Sequence, residues 1–425
     1  MKMSSHLTIA VGIFSITYMV IMSEKMHRTV VALFGAVLML LFSVEGQEQA
    51  VHHIDANTIG LLIGMMIIVS ILKRTGVFEY LAIRSAKAAK GDPWKILLML
   101  SAITAVASAL LDNVTTILLI IPVTLVITDA MDINPLPFII TETMMSNIGG
   151  TATLVGDPPN IMIGSAVGLS FLDFVVNLAP IVVIIYFVNL LILKFLYRTK
   201  MVATEEQRKS VMRMDESIAI NDITLLKKGG FVMAITVAGF LLHAQLGYES
   251  ATVALFGASL YLLISRIDPE DILLEIEWTT IFFFSALFIL VGALEDVGVI
   301  EFLAEKMVQF TKGDIATSSV VILFGSSIAS AFLDNIPFVA TMIPLLQNFG
   351  IQTGQNIEVL WWSLALGACL GGNGTLVGAS ANVIASGIME KHGKKLSFMQ
   401  YFKVGFPLML VSVGISYVYI VVRYL

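Results

Sequence analysis

Ala107-Ser108-Ala109-Leu110-Leu111-Asp112-Asn113 recurs as Ala329-Ser330-Ala331-Phe332-Leu333-Asp334-Asn335, an offset of 222 residues. The same offset carries Gly149-Gly150 onto Gly371-Gly372, Thr153-Leu154-Val155-Gly156 onto Thr375-Leu376-Val377-Gly378, and Asn160 onto Asn382. It also carries Val31-Ala32-Leu33-Phe34-Gly35-Ala36 onto Val253-Ala254-Leu255-Phe256-Gly257-Ala258, and Lys90-Gly91-Asp92 onto Lys312-Gly313-Asp314. Chance likeness among apolar helices can produce one such match, not several widely spaced ones at one offset. The chain is a duplicated unit.

The surroundings of these motifs are apolar. Of 425 residues 57% are hydrophobic and 13% charged, and the mean hydropathy is +0.90. That excludes an ordinary water-soluble globule and indicates a polytopic membrane protein. A net charge of −6 offers no basic face to a nucleic acid, and the single cysteine, Cys369, excludes internal disulfides and multi-thiolate metal sites. No HExxH and no GxxxxGK[ST] occurs, so neither zinc-protease chemistry nor ATP hydrolysis by this chain is supported.

Runs able to cross about 30 Å of hydrocarbon are read near 7–23, 29–44, 58–72, 137–168, 174–197, 229–245, 250–265, 278–293, 357–390 and 401–422. Two more apolar stretches, 96–128 and 316–347, are interrupted by Leu-Asp-Asn and read as hairpins that enter and return. The expected fold is therefore all-α: about ten transmembrane helices, two re-entrant hairpins and two discontinuous helices. Residues 1–197 form the first repeat, 198–228 a cytoplasmic linker, and 229–425 the second repeat. With the N-terminus outside, every Lys and Arg except Lys2, Lys306, Lys312 and Arg423 faces the cytoplasm. An odd number of crossings per repeat inverts the second against the first, the plan of secondary transporters. Segments 76–90 and 298–311 read as amphipathic helices in the interface. The first run lacks a basic flank and a cleavage site, so it reads as a retained span.

Chemistry concentrates at four breaks: the tips Asp112-Asn113 and Asp334-Asn335, and the stretches 149–160 and 371–382. Broken helices survive in a membrane only where they line protein or a wet cavity. Carbonyls freed by glycine, with Asn and Thr oxygens, suit a small hard cation, and half-helix N-termini suit an anionic or polar substrate. Asp112, Asp334 and Asp157 each also read as N-caps, Asp157 of the half-helix that Pro158 and Pro159 begin. Carboxylates deep in apolar runs are nevertheless functional candidates. Glu142 reads equally as a proton carrier or as an anchor near the cytoplasmic face. The His52-His53 pair falls in an external loop and reads as solvated, and Cys369, which the offset pairs with Asn147, as a small buried filler.

At Ser23-Glu24-Lys25-Met26-His27-Arg28-Thr29, Leu111-Asp112-Asn113-Val114-Thr115-Thr116 and Ser146–Asn160 the chain resembles the ion transporter superfamily. Within it, the likeness is to the branch of arsenite efflux permeases, the melanosomal P-protein and sodium/proton antiporters. The resemblance implies a scaffold part and a moving transport part. It also implies a sodium or proton site between the first tip and the 150–156 loop, and a second between Asp334-Asn335 and the 373–378 loop. The residues so implied are Asp112, Gly150, Thr151, Thr153, Asp157, Asp334, Asn373, Thr375 and Glu142 for cation or proton coupling. Sodium would sit on Asp112, Asn113, Asp334 and Asn335, and substrate on Asn113, Thr115, Thr116, Asn160, Asn335 and Asn382. In the second repeat Asp157-Pro158-Pro159 becomes Ala379-Ser380-Ala381 and Thr115-Thr116 becomes Pro337-Phe338, which bears on whether its cation site is intact.

The implied function is secondary active transport, with arsenite or antimonite efflux on a proton or sodium gradient as the first expectation. Sodium/proton antiport and sodium-coupled organic anion transport are the alternatives, and a channel or a membrane enzyme ranks below them. No cofactor is expected beyond a sodium ion or proton. The expected partners are a small inorganic substrate and membrane lipid, with a homodimer and a cytoplasmic ATPase subunit left open and nucleic acid excluded. The expected location is a prokaryotic inner membrane.

Overall fold

The computed structural model of the chain describes residues 2–23, 25–199 and 201–425. Met1, Glu24 of the 23–29 motif and Lys200 of the segment between the repeats lie outside the described residues. The first half contains α1 (Lys2–Met22), α2 (Arg28–Leu41), α3 (Gln47–His53), α4 (Ala56–Lys73), α5 (Val77–Ala88), α6 (Pro93–Leu110), α7 (Asn113–Ala130), α8 (Leu136–Gly150), α9 (Pro158–Val167) and α10 (Phe171–Tyr197). A short α11 (Glu205–Met212) follows. The second half contains α12 (Ile223–Leu246), α13 (Ser250–Ser265), α14 (Pro269–Leu273), α15 (Trp278–Asp296), α16 (Val299–Thr311), α17 (Ile315–Phe332), α18 (Asn335–Thr353), α19 (Glu358–Gly371), α20 (Ser380–Lys391) and α21 (Phe398–Tyr424). The described residues contain no strand.

The helix starts show how one sequence pattern makes the same element twice. Lys90 and Gly91 take φ of 54° and 68°, and Lys312 and Gly313 take 56° and 67°. Each pair makes a left-handed turn that delivers an aspartate to the start of a hairpin limb. Asp92 accepts the N–H bonds of Trp94 and Lys95, and Asp314 accepts that of Thr317, so each limb begins capped. Gly149 and Gly371 then let backbones meet: a methyl on Gly149 would stand 2.2 Å from the Ala105 carbonyl oxygen, and one on Gly371 2.6 Å from that of Ser327. Only glycine permits α8 to lie on α6, and α19 on α17, at that distance.

Packing between the halves is reciprocal. α2 packs on α15 and α13 on α4, the exchange expected when each helix meets the partner of its own repeat mate. The offset is not constant to the end. α10 and α21 are each 27 residues long and begin at Phe171 and Phe398, which puts them 227 apart. The extra five residues fall in the loop before Ser397, where His392 Nε2 and Lys394 Nζ each lie 2.6 Å from the Asp129 carboxylate at the end of α7.

Eight described helices are long and apolar enough to cross a membrane: α4, α6, α7, α10, α12, α15, α17 and α21. α1, α2 and α13 contribute shorter apolar stretches. The protein is an integral membrane protein of inverted repeats, with hairpins α6–α7 and α17–α18 and the broken pairs α8–α9 and α19–α20. The segment between the halves is not extended. α11 packs on α5 and α7, Lys87 holds the Met214 carbonyl and the Glu216 carboxylate, and Asn221 N–H donates to the Thr75 carbonyl at 3.0 Å.

Candidate functional site

The hairpin tips and the two breaks meet between the repeats. Matched hydrogen bonds fix the frame. Ser108 donates to the Ser146 carbonyl at 2.7 Å, and Ser330 to the Ala368 carbonyl at 2.6 Å. Thr153 donates to the Ala109 carbonyl at 2.5 Å, and Thr375 to that of Ala331. Asn160 donates to the Thr151 and Thr153 carbonyls at 3.2 and 2.8 Å, and Asn382 to those of Gly372 and Thr375 at 2.7 and 2.8 Å. Thr151 gives its hydroxyl to the Asn147 carbonyl. The amides of Asn160 and Asn382 therefore hold the unwound loops, supplying partners that hydrocarbon cannot.

Asn147 ties the frame across the repeats. Its amide nitrogen lies 2.9 Å from Oδ1 of both Asn373 and Asn382, and its oxygen accepts from Asn113 at 3.2 Å. Asn373 in turn donates to the Met144 carbonyl at 3.2 Å.

A cavity of about 30 Å³ lies at the meeting point, bordered by Asp112, Asn113, Asp157, Asn335, Arg28 and Glu277, with Ser380 at its edge. That is room for one or two waters or a bare ion. Asp112 caps α7: it accepts the Thr115 N–H at 2.8 Å and the Thr115 hydroxyl at 2.5 Å. Thr115 is thus bound to its own cap and borders a separate pocket toward Lys73 and Glu277. The Thr116 hydroxyl is buried without a hydrogen-bond partner among the described residues.

Asp157 does not cap. Pro158 and Pro159 have no N–H to offer, and the first available one, on Asn160, goes to the Asp157 main-chain carbonyl at 2.9 Å. The carboxylate is fully buried. Its Oδ1 accepts from Asn335 of the other repeat at 3.4 Å, and its Oδ2 has no hydrogen-bond partner among the described residues.

The second tip is built differently. Asp334 caps α18 through the Ile336 N–H at 3.1 Å. It also forms an ion pair with Arg28, whose Nη1 further donates to the Ser380 hydroxyl at 2.7 Å. Ser380 donates to Asp334 at 3.1 Å, and the guanidinium rests 4.8 Å above the Phe283 ring. Beside this pair a larger cavity, about 430 Å³, runs between Tyr18, Met22, His27, Phe338 and Ile384. Gly150 packs its backbone against Gly156 within the first break. Glu142 stands apart from the cavity, fully buried on α8, with Oε1 accepting from Thr124 at 2.9 Å.

Residues 18–367 match the family model described as citrate transporter (CitMHS). The chain belongs to the citrate-transporter family. An uncharacterized transporter of Mycobacterium tuberculosis H37Rv is 43% identical over 98% of both chains, and the 46 kDa membrane protein of Mycobacterium leprae 41% identical over 98% of this chain and 99% of that one. The human P protein is 34% identical over the whole of this chain, which spans 60% of it. Among solved structures, the Alcanivorax borkumensis YdaH transporter shares the fold with a TM-score of 0.61 at 14% identity, over 91% of this chain and 88% of that one. The resemblance to the ion transporter superfamily and its P-protein branch stands, and the protein is a membrane transporter, not an enzyme.

Four site residues in this citrate-family chain escaped the sequence reading: Arg28, Asn147, Glu277 and Ser380. Arg28 was counted among cytoplasmic bases, yet it opens a helix of only 14 residues. About 21 Å of helix is short of a full span and can start inside the membrane. Glu277 is the repeat mate of Asp55. Asp55 caps α4, whereas Glu277, one methylene longer, makes no cap, accepts from the Thr280 hydroxyl at 3.1 Å and borders the cavity.

Proposed function

We propose that the chain is a secondary active transporter of a prokaryotic plasma membrane whose coupling ion, a proton or sodium, is exchanged at Asp112 and Asp157, and whose cargo is arsenite or antimonite moved outward. The observation that carries the reading is Asp157: buried, uncapping, and facing the opposite repeat with one oxygen free of any partner among the described residues. An ionised carboxylate so placed costs several kcal/mol unless an ion or proton joins it. Arg28 neutralises Asp334, so Asp112, Asp157 and Glu277 remain around a cavity of about 30 Å³ with no second guanidinium or ammonium on its border. Such a site attracts cations and repels polyanions. The carboxylates can accept from a trihydroxy oxyacid, and Asn113 and Asn335 donate to it, once the tips part, because the cavity of about 30 Å³ holds only one or two waters or a bare ion. The one thiol supports oxygen coordination rather than thiolate capture, because Cys369 is buried and donates to Asn160 at 3.4 Å.

A second reading has its own support. The cavity of about 430 Å³ beside Arg28 has room for an organic carboxylate, and the family model is described as citrate transporter. Purified protein in liposomes, offered arsenite, antimonite, citrate and succinate under imposed proton or sodium gradients, separates the two. Arsenite flux that follows the gradient supports the first reading. Carboxylate flux without arsenite flux replaces it with the second, and flux insensitive to both gradients overturns coupling.

A further inference from the structure

The corner where α2 turns into α3 meets the C-terminal end of α15, at the end of α4 opposite the contact between Thr75 and Asn221. The sequence reads His53 as a solvated loop residue. The structure instead sets it against α15. A methyl on Gly292 would lie 2.2 Å from the His53 Cγ, so the imidazole is seated directly on that backbone. His53 Nε2 lies 3.3 Å from Oδ2 of Asp296 and 3.7 Å from Oε2 of Glu45. One donor atom from each of the three lies within 4.8 Å of the others.

Glu45 needs explaining. Its side chain is wholly buried, and neither carboxylate oxygen has a hydrogen-bond partner among the described residues. The repeat shows what an ordinary version of this corner looks like. The offset of 222 relates His53 to Glu275 and Asp296 to Arg74. There Arg74 Nη2 bonds Glu275 Oε1 at 2.7 Å, and the position equivalent to Glu45 is Ile267. One corner is closed by a cation and an anion. Its mate has exchanged the arginine for a second acid, the partner for an imidazole, and an isoleucine for a third ligand, which leaves it short of positive charge.

We propose that Glu45, His53 and Asp296 bind a divalent cation of the zinc type, with water as fourth ligand, joining the first repeat to the second. Zinc holds nitrogen and carboxylate oxygen at about 2.0–2.2 Å, and tetrahedral angles then put donors about 3.4 Å apart. The observed 3.3 and 3.7 Å bracket that spacing. One imidazole with two carboxylates favours zinc over magnesium or calcium, which prefer all-oxygen shells. Burial pushes the Glu45 carboxyl up to about 7, opposed by His53 and reinforced by Asp296, the titratable groups that face it.

The test uses full-length protein purified without a histidine tag and titrated with zinc and, separately, cobalt. One zinc per chain is expected, with tetrahedral cobalt absorption bands that zinc abolishes and excess magnesium does not. Affinity should fall about tenfold or more in His53→Gln and in Glu45→Gln. Unchanged zinc affinity in folded His53→Gln overturns the site. Should the variants not fold, the wild-type cobalt spectrum decides: octahedral bands, or none, overturn it. The readout is binding, so it stands or falls independently of which substrate is transported.

Discussion

The two hairpin tips begin with the same dipeptide and end with different chemistry. At the first, Asp112 turns back onto its own helix, and Asp157 faces the cavity with an oxygen unspent. At the second, Asp334 is paired with Arg28 and Ser380, and the position of Asp157 is taken by Ala379. Residues that repeat build the frame: Ser108 and Ser330, Thr153 and Thr375, Asn160 and Asn382. Residues that do not repeat set the charge: Arg28 answers to Ser250, Asp157 to Ala379, Glu277 to Asp55, and Ser380 to Pro158. A duplicated scaffold needs the first group twice, whereas the ion site proposed at Asp112 and Asp157 needs the second group once.

The two tips differ most at Asp157, which Ala379 replaces in the second repeat. Asp157→Asn should lower gradient-driven flux by about tenfold or more, since an amide cannot exchange a proton or hold a cation as a carboxylate does. Stability should stay level or rise, because the variant removes a buried, under-partnered charge and loses no cap. Flux against varied pH difference, beside thermal unfolding of the same preparations, checks both. Normal coupling in a folded variant would move the ion site to the second tip or to Glu142.

The broken loops provide a stability test of the same asymmetry. A methyl on Gly150 would meet the Gly156 carbonyl oxygen at 2.4 Å, but one on Gly372 meets the Ala379 Cβ at 3.1 Å and the Gly378 oxygen at 3.2 Å. Gly150→Ala should therefore cost about 1–3 kcal/mol or more, and Gly372→Ala less than about 1 kcal/mol, read from unfolding in detergent. Equal costs would show that the two breaks are equally tight.

Arg28→Gln probes the second tip alone. It leaves Asp334 without its cation in a partly buried place, 28% and 16% of the two side chains being exposed, so the loss should be about 1–3 kcal/mol. Asp334→Asn added to it should restore much of that, a coupling visible in a double-mutant cycle. Additive losses would mean that Arg28 is present for the substrate and not for Asp334.

Much of the frame was legible because duplication writes itself as a constant offset. The left-handed turns at Lys90-Gly91 and Lys312-Gly313, the glycine pairs and the tip aspartates all appear twice. Side-chain destinations were not legible for the same reason. An offset displays what recurs, and Arg28, Glu277 and Ser380 are departures from it. Asp157 was singled out by having no counterpart, although its two readings, cap or carrier, separate only when the Asn160 N–H, the first that the prolines leave, is seen to bond the Asp157 main-chain carbonyl and not the carboxylate. His53 looked solvated because its partners, Glu45 and Asp296, are brought to it by the fold: Asp296 lies in the other repeat.

The smallest expected effect is at the one position where the offset pairs an asparagine with a thiol. Asn147 bonds Asn113, Asn373 and Asn382, whereas Cys369 donates to Asn160 at 3.4 Å and lies beside Asp157 and Thr151. Cys369→Ser keeps a donor of similar size, so stability should change by no more than about 1 kcal/mol. Arsenite flux should be unchanged if arsenic travels as an oxygen-bound species, since no other thiol exists in the chain. The measurement is arsenite and antimonite uptake by wild type and variant under the same imposed gradient. Loss of flux in a folded Cys369→Ser protein would place a sulfur ligand on the path, and would reassign the oxygen-lined cavity between Asp112, Asp157 and Asn335 to the coupling ion alone.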